Sequence, residues 1–173
     1  KKEKYKIFKI KYELTNLLKE KNHILKSLSK NYKNTYNSRI IKKYRNFSNF
    51  RIIGIGGSSL GTQAIYDFLK FKIKKFFLFI DNLHAKRKNI KSEKYLNLVV
   101  SKSGNTIETI VNSNILIKKN DKNIFITENK KNYLNLLAQK LKSEIIHHNN
   151  FIGGRYSVLS EVGMLPSEFM GLN

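Results

Sequence analysis

The hydroxyls of Ser101, Ser103 and Thr106, a lysine and a glycine stand together in Val100-Ser101-Lys102-Ser103-Gly104-Asn105-Thr106-Ile107-Glu108-Thr109, between an apolar run and a helix-like run. Backbone N–H groups at a helix N-terminus, with hydroxyl donors around them, make an anion site. Further on, Gly153-Gly154-Arg155-Tyr156-Ser157-Val158-Leu159-Ser160 sets one arginine on a paired-glycine turn, where backbone can approach a ligand closely. Together the two stretches suit an enzyme that holds a phosphorylated small molecule. A third stretch, Gly54-Ile55-Gly56-Gly57-Ser58-Ser59-Leu60-Gly61, follows another apolar run. It misses the dinucleotide pattern G-x-G-x-x-G, because Ser59 stands at the third glycine. It also lacks the Gly-Lys-Ser/Thr of a phosphate loop. Asp81 nevertheless sits about where a ribose-binding acid belongs. Each stretch has a plainer reading: a strand-to-helix glycine turn, a helix N-capped by Ser103, a structural ion pair for Arg155.

The elements that must position these residues follow from hydrophobic pattern. Short apolar strands are predicted at 52–55, 76–80, 96–100 and 124–126, with a weaker fifth at 145–146. Helical spacing follows through Ala64-Ile65-Phe68-Leu69, through Ile110, Ile115 and Leu116, and through Leu134, Leu137 and Leu141. Continuous apolar strands alternating with helices predict a doubly wound, five-stranded parallel α/β sheet covered on both faces. Ligands in such sheets bind beyond the strand carboxyl ends, where strand order reverses. If the first and third strands are neighbours there, Gly57 and Ser58 face Ser101, Lys102, Ser103, Gly104, Asn105 and Thr106, with the amides of 103–106 aimed at one anion. Lys102 then adds charge to the site or points into solvent.

Ahead of the sheet, Leu14, Leu17, Leu18, Leu25 and Leu28 predict an amphipathic packing helix over 13–30. Residues 31–49 read as a polar connection whose Tyr32, Tyr36, Tyr44, Phe47 and neighbouring Phe50 are anchors to the core rather than stacking platforms. The predicted organisation is a helical extension at 1–48 and one α/β domain at 49–173. The absence of cysteine excludes disulfides and thiolate chemistry, and four scattered histidines give no zinc spacing. No apolar run approaches a membrane span, and no signal peptide is evident, so the expectation is a cytoplasmic protein without a membrane partner. The net charge is +22, but only five of the 34 basic residues are arginine and the lysines are dispersed. This pattern predicts a solvated surface that draws anionic substrates, with no specific nucleic-acid site.

These motifs, in this order, resemble the phosphoglucose isomerase family of the sugar-isomerase (SIS) superfamily. Gly54-Ile55-Gly56-Gly57-Ser58 with Leu60-Gly61 matches the family's first glycine turn. Ser101-Lys102-Ser103-Gly104 with Thr106, Glu108 and Thr109 resembles its phosphate loop. Ile152 to Ser160, with Val162-Gly163 and Leu165-Pro166, is similar to its arginine signature; Glu161 replaces a residue that is usually small. The resemblance spans Arg51 to about Pro166. It implies a flavodoxin-like SIS domain and interconversion of glucose 6-phosphate and fructose 6-phosphate through an enediol, a step of glycolysis and gluconeogenesis. It implies no cofactor or metal, and a homodimer for the full-length protein. Gly57, Ser58 and 101–106 would bind substrate, and Arg155 would stabilise the enediolate. Glu108, read as one and a half turns into its helix, would orient a catalytic group or is a helix-face carboxylate. The family's catalytic glutamate, histidine and second lysine lie beyond its arginine motif. His147 and His148 do not match that histidine and read as strand-end or surface residues. The chain, beginning at Lys1 and ending at Asn173, is thus expected to be a partial one, cut before a second SIS domain. A non-catalytic sugar-phosphate-binding module is the alternative.

Overall fold

A computed structural model describes residues 2–20, 22–29, 31–83 and 94–172. The chain divides into two compact units, Lys1–Lys33 and Asn34–Asn173. The first holds α1 (Lys2–Lys19) and one further turn, α2 (His23–Lys26). The amphipathic helix expected over 13–30 therefore starts earlier and stops at Lys19. The reason is local: the Asn22 side chain accepts from the Ile24 amide at 2.8 Å and starts α2 as a separate turn. The predicted end at Lys30 lies outside the described residues.

The second unit begins with α3 (Ser38–Tyr44), inside the stretch read from sequence as a plain connection. Asn37 caps it by accepting from the Arg39 amide at 2.9 Å, and Ile40, Ile41 and Tyr44 pack inward. Five strands follow: β1 (Asn49–Ile53), β2 (Phe76–Ile80), β3 (Tyr95–Val100), β4 (Lys122–Glu128) and β5 (Glu144–His148). All pairings are parallel, in the order β2-β1-β3-β4-β5. Gly54 and Ile55, expected in the first strand, already belong to the turn after it. The covering helices are α4 (Leu60–Leu69), α5 (Ile107–Leu116), α6 (Tyr133–Lys140) and α7 (Glu161–Met170). Strand residues alternate between two cores. Phe50, Ile52, Leu96, Leu98, Val100, Ile124 and Ile126 meet Tyr66 of α4 and Leu165 and Phe169 of α7. Ile53, Val99 and Phe125 meet Leu116 of α5 and Leu134 and Ala138 of α6.

The aromatic residues act as anchors within this unit. Phe50 stacks on Phe77 with ring centroids 4.7 Å apart, and Tyr44 meets Phe47 edge-on. Tyr32 lies in the first unit. The second core also holds a charge that its pattern did not announce. Arg51 is buried in β1, its guanidinium 4.4 Å from the Tyr95 ring and 3.3 Å from Asn97 Oδ1. Asn97 donates onward to Asn123 at 2.8 Å. These three share one register level across β1, β3 and β4, so a polar row crosses the sheet on the face that carries Ile53, Val99 and Phe125. Among the described residues, no helix is long and apolar enough to cross a membrane.

Candidate functional site

The strand order reverses between β1 and β3. The helix after β1 lies on one face and the helix after β3 on the other. In doubly wound sheets this reversal, beyond the strand carboxyl ends, is where ligands bind. Both loops singled out in the sequence leave the sheet at this point.

The loop after β3 is built around Ser101, which is buried. Its hydroxyl lies 2.9 Å from the Thr106 hydroxyl and accepts from the Gly104 amide at 3.2 Å. Gly104 takes φ +68°, and a Cβ there would strike the Asn132 side chain at 2.2 Å, so only glycine fits. The Gly104 carbonyl accepts from the Leu134 amide and Asn105 Oδ1 from the Tyr133 amide, which fastens the loop to the start of α6. The helix begins later than the sequence suggested. Thr106, not Ser103, is the N-cap of α5, and it makes no capping bond because its hydroxyl is turned to Ser101. Ser103 instead accepts from the Asn105 amide at 3.2 Å. The expected fan of amides from 103 to 106 is accordingly narrower, with Gly104 and Asn105 committed to closing the loop. The first-turn amides of α5 have no side-chain cap and supply the donors a helix N-terminus offers to an anion. Glu108 lies in that first turn, nearer the helix start than expected.

The glycine turn Gly56–Ser58 packs against a second turn, Gly154–Leu159, which carries Arg155. A Cβ on Gly57 would lie 2.2 Å from the Gly154 carbonyl oxygen, so a glycine there lets two backbones touch. The single Ser157 hydroxyl proton is shared between the carbonyls of Gly154, 2.7 Å from the oxygen, and Gly57, 3.2 Å from it, which links the two turns. Arg155 is exposed, and among the described residues no carboxylate pairs with it. The structural ion pair considered for Arg155 is therefore not made among them. Ser58 is half-buried beside Gly57, and Ser103 is exposed.

Lys102 is engaged with groups other than the Ser101–Thr106 pair. Its ammonium donates to the Asn150 carbonyl at 2.8 Å and lies 3.4 Å from Glu128. Glu128, at the end of β4, is buried, which pushes its carboxyl up, but the Lys130 and Lys102 ammoniums outweigh this and hold it below the usual carboxylate range. Both histidines close β5, as the strand-end reading has it; His147 is exposed, whereas His148 is buried against Glu161. Burial likewise pushes Glu161 up, and its bonds from His148 and from backbone amides bring it lower than usual. The Lys102–Glu128 and His148–Glu161 pairs were not read from the sequence, since their partners come from different elements. The available signal was Ser160 followed by Glu161, a cap with an acid in the first turn.

A phosphoglucose isomerase family model matches residues 10–172. The chain is 35% identical over 156 residues to the glucose-6-phosphate isomerase of Acholeplasma laidlawii, covering 78% of this chain and 36% of that protein. It is 33% identical over 147 residues to that of Methanocaldococcus jannaschii, covering 76% and 35%. It thus spans about a third of the length of these curated relatives. Among solved structures, a hypothetical protein of Thermus thermophilus aligns with TM-score 0.67 at 27% identity, over 78% of this chain and 37% of that one. The tagatose-6-phosphate ketose/aldose isomerase of Escherichia coli aligns with TM-score 0.57 at 16% identity, over 78% and 40%, a likeness of fold. Motif order, parallel topology and the family match agree: the chain belongs to the phosphoglucose isomerase family.

Proposed function

We propose that this chain is the sugar-phosphate-binding part of an isomerase that interconverts glucose 6-phosphate and fructose 6-phosphate through an enediol. The observation that carries the reading is the Ser101–Thr106 hydroxyl pair, 2.9 Å apart, at the uncapped N-terminus of α5. One hydroxyl proton is spent between the two oxygens; the other, with the first-turn amides, provides donors for a phosphate. Ser103, Gly57 and Ser58 line the same edge. Gly104 and Asn105 shape the loop, and Lys102 ties it to β4. Glu108 supports the helix start as a first-turn carboxylate. Arg155, exposed on its rigid turn, meets the negative charge that develops on the sugar oxygens. Moving a proton between the two reacting carbons also requires a general base. Glu128 and Glu161 are held in ion pairs and are poorly placed for that task, so we assign the base to a part of the isomerase outside this chain. In the same reading the intact protein is a cytoplasmic homodimer with no metal or cofactor.

Titration calorimetry with glucose 6-phosphate and with glucose tests the site. Binding of the phosphorylated sugar alone is expected; equal binding of both, or binding of neither, rejects it. The commitment of Glu128 and Glu161 also favours a second reading, a sugar-phosphate module without chemistry. A coupled assay on the intact protein separates the two, since only the isomerase turns fructose 6-phosphate into glucose 6-phosphate.

A further inference from the structure

The turn that carries Arg155 is approached through Asn149–Ile152, a segment outside any strand or helix. Its position is fixed from two sides. Lys102 holds the Asn150 carbonyl from the phosphate loop. From beneath, His148 at the end of β5 and Glu161 at the start of α7 form a pair whose side chains are 1% and 0% exposed. His148 Nδ1 lies 2.6 Å from Glu161 Oε1, and Nε2 lies 2.9 Å from the Ile152 carbonyl oxygen. The same Glu161 oxygen accepts from the Asn149 amide at 3.1 Å.

A carbonyl only accepts, so Nε2 carries a proton. One further proton lies between Nδ1 and the carboxylate. Wherever it rests, the pair has no net charge, which is the condition for burying ionisable groups this deeply. Both ring nitrogens are engaged, so the ring cannot turn without breaking a bond. The pair therefore grips the segment at both ends, the Asn149 amide and the Ile152 carbonyl. Gly153, Gly154 and Arg155 follow directly.

We propose that His148 and Glu161 are positioning residues for Arg155, fixing the path into its turn and so the place of its guanidinium. The proposal rests on the reading of Arg155 as the group that faces substrate. A cluster that merely stabilised the fold would lower stability with no link to Arg155. A positioning pair loses its effect on turnover once the arginine fork is gone.

The first arm of the test is kinetic, in the intact protein. Glu161→Gln keeps the shape and an acceptor for Asn149 but removes the charge. Turnover is expected to fall about tenfold with KM changed less than about twofold. In an Arg155→Lys background the same substitution is expected to change turnover less than about twofold, a non-additivity that reports coupling. An undiminished effect in that background overturns the proposal. The second arm needs no substrate and stands if the isomerase reading fails. Amide hydrogen exchange at Tyr156, which donates to the Gly153 carbonyl at 2.9 Å, is expected to quicken about tenfold in Glu161→Gln while Leu98 and Ile124 in the sheet keep their protection. Exchange at Tyr156 that stays at the wild-type rate overturns the proposal. If Glu161→Gln does not fold, His148→Gln takes its place in both arms. An intact wild-type protein that shows no isomerisation rejects the functional reading alone, and the exchange arm then decides the positioning role.

Discussion

The hydroxyls around the start of α5 have separable tasks. Ser103 is exposed and reaches outward, whereas Thr106 also partners the buried Ser101. Replacing Ser103 and Thr106 together by alanine removes two donors to a charged group, each worth roughly 1.5–3 kcal/mol, so affinity for glucose 6-phosphate should fall about a hundredfold or more. Thr106→Ser keeps the hydroxyl and should restore most of Thr106's share; calorimetry giving wild-type affinity for the double alanine variant would refute the site. Arg155 answers to a different measurement. In the proposed reading its charge matches the enediolate more closely than the bound sugar, so Arg155→Ala in the intact protein should lower kcat far more than it raises KM. Lysine should rescue poorly because it lacks the planar fork. A change confined to KM would assign Arg155 to substrate binding instead.

Between elements, contact distances decide what the motifs mean. The glycine turn after β1 is a bearing surface for the arginine turn. Gly57→Ala places a methyl carbon 2.2 Å from the Gly154 oxygen, and overpacking of this kind costs about 1–3 kcal/mol. The expected result is a lower denaturation midpoint together with weaker activity, and an unchanged midpoint would show that the turns separate freely. Two buried carboxylates tie elements to this region and make it acid-sensitive. Glu128 and Glu161 both have folded-state pKa values below the ordinary carboxylate value. The unfolded chain therefore takes up protons first as pH falls. Their stabilisation is complete above the ordinary carboxylate range and is lost through the interval down to their lowered folded values. Denaturant unfolding followed from neutral to acid pH should show stability level until roughly pH 5 and declining below it. Glu161→Gln should flatten part of that decline, and a rise in stability on acidification would contradict the assignment.

For the molecule as a whole, a charge of +22 sets long-range behaviour without defining a partner. Dispersed lysines attract any polyanion, so DNA binding should be weak, indifferent to sequence and steeply reduced by salt. Tight sequence-selective binding in a salt titration would overturn this. In the proposed reading the same field speeds capture of a phosphorylated sugar. Catalysis requires more than capture. Loss of general acid–base catalysis alone removes about 10²–10⁴ in rate, so the 173-residue chain should bind sugar phosphate yet show no measurable isomerisation, in contrast to the intact protein. Robust turnover by the chain by itself would mean that a carboxylate such as Glu108 serves as base.

The sequence by itself determined the parallel sheet, its two covered faces and the three motif segments, because these depend on local chemistry. Strand after strand is apolar and bounded by polar turns, and glycine and hydroxyl clusters mark where the backbone must turn. Phe76–Ile80 was legible to the residue, while β4 extends further at each end than its apolar centre, since Lys122 and Glu128 pair in the ladder without apolar side chains. The helix Ser38–Tyr44 was hidden because its inward face is short and its cap is a lone asparagine. Only the tertiary structure decided which groups meet. Ser103 reads as the N-cap in the sequence, yet Thr106 holds that position, with its hydroxyl turned to Ser101 across the loop instead of to the helix. Lys102 looks like a phosphate ligand by its neighbours, yet its ammonium lies between Glu128 and the Asn150 carbonyl. Glu161 and His148 look unrelated along the chain, yet the fold buries them against each other, because a carboxylate that deep needs a hydrogen-bonding partner.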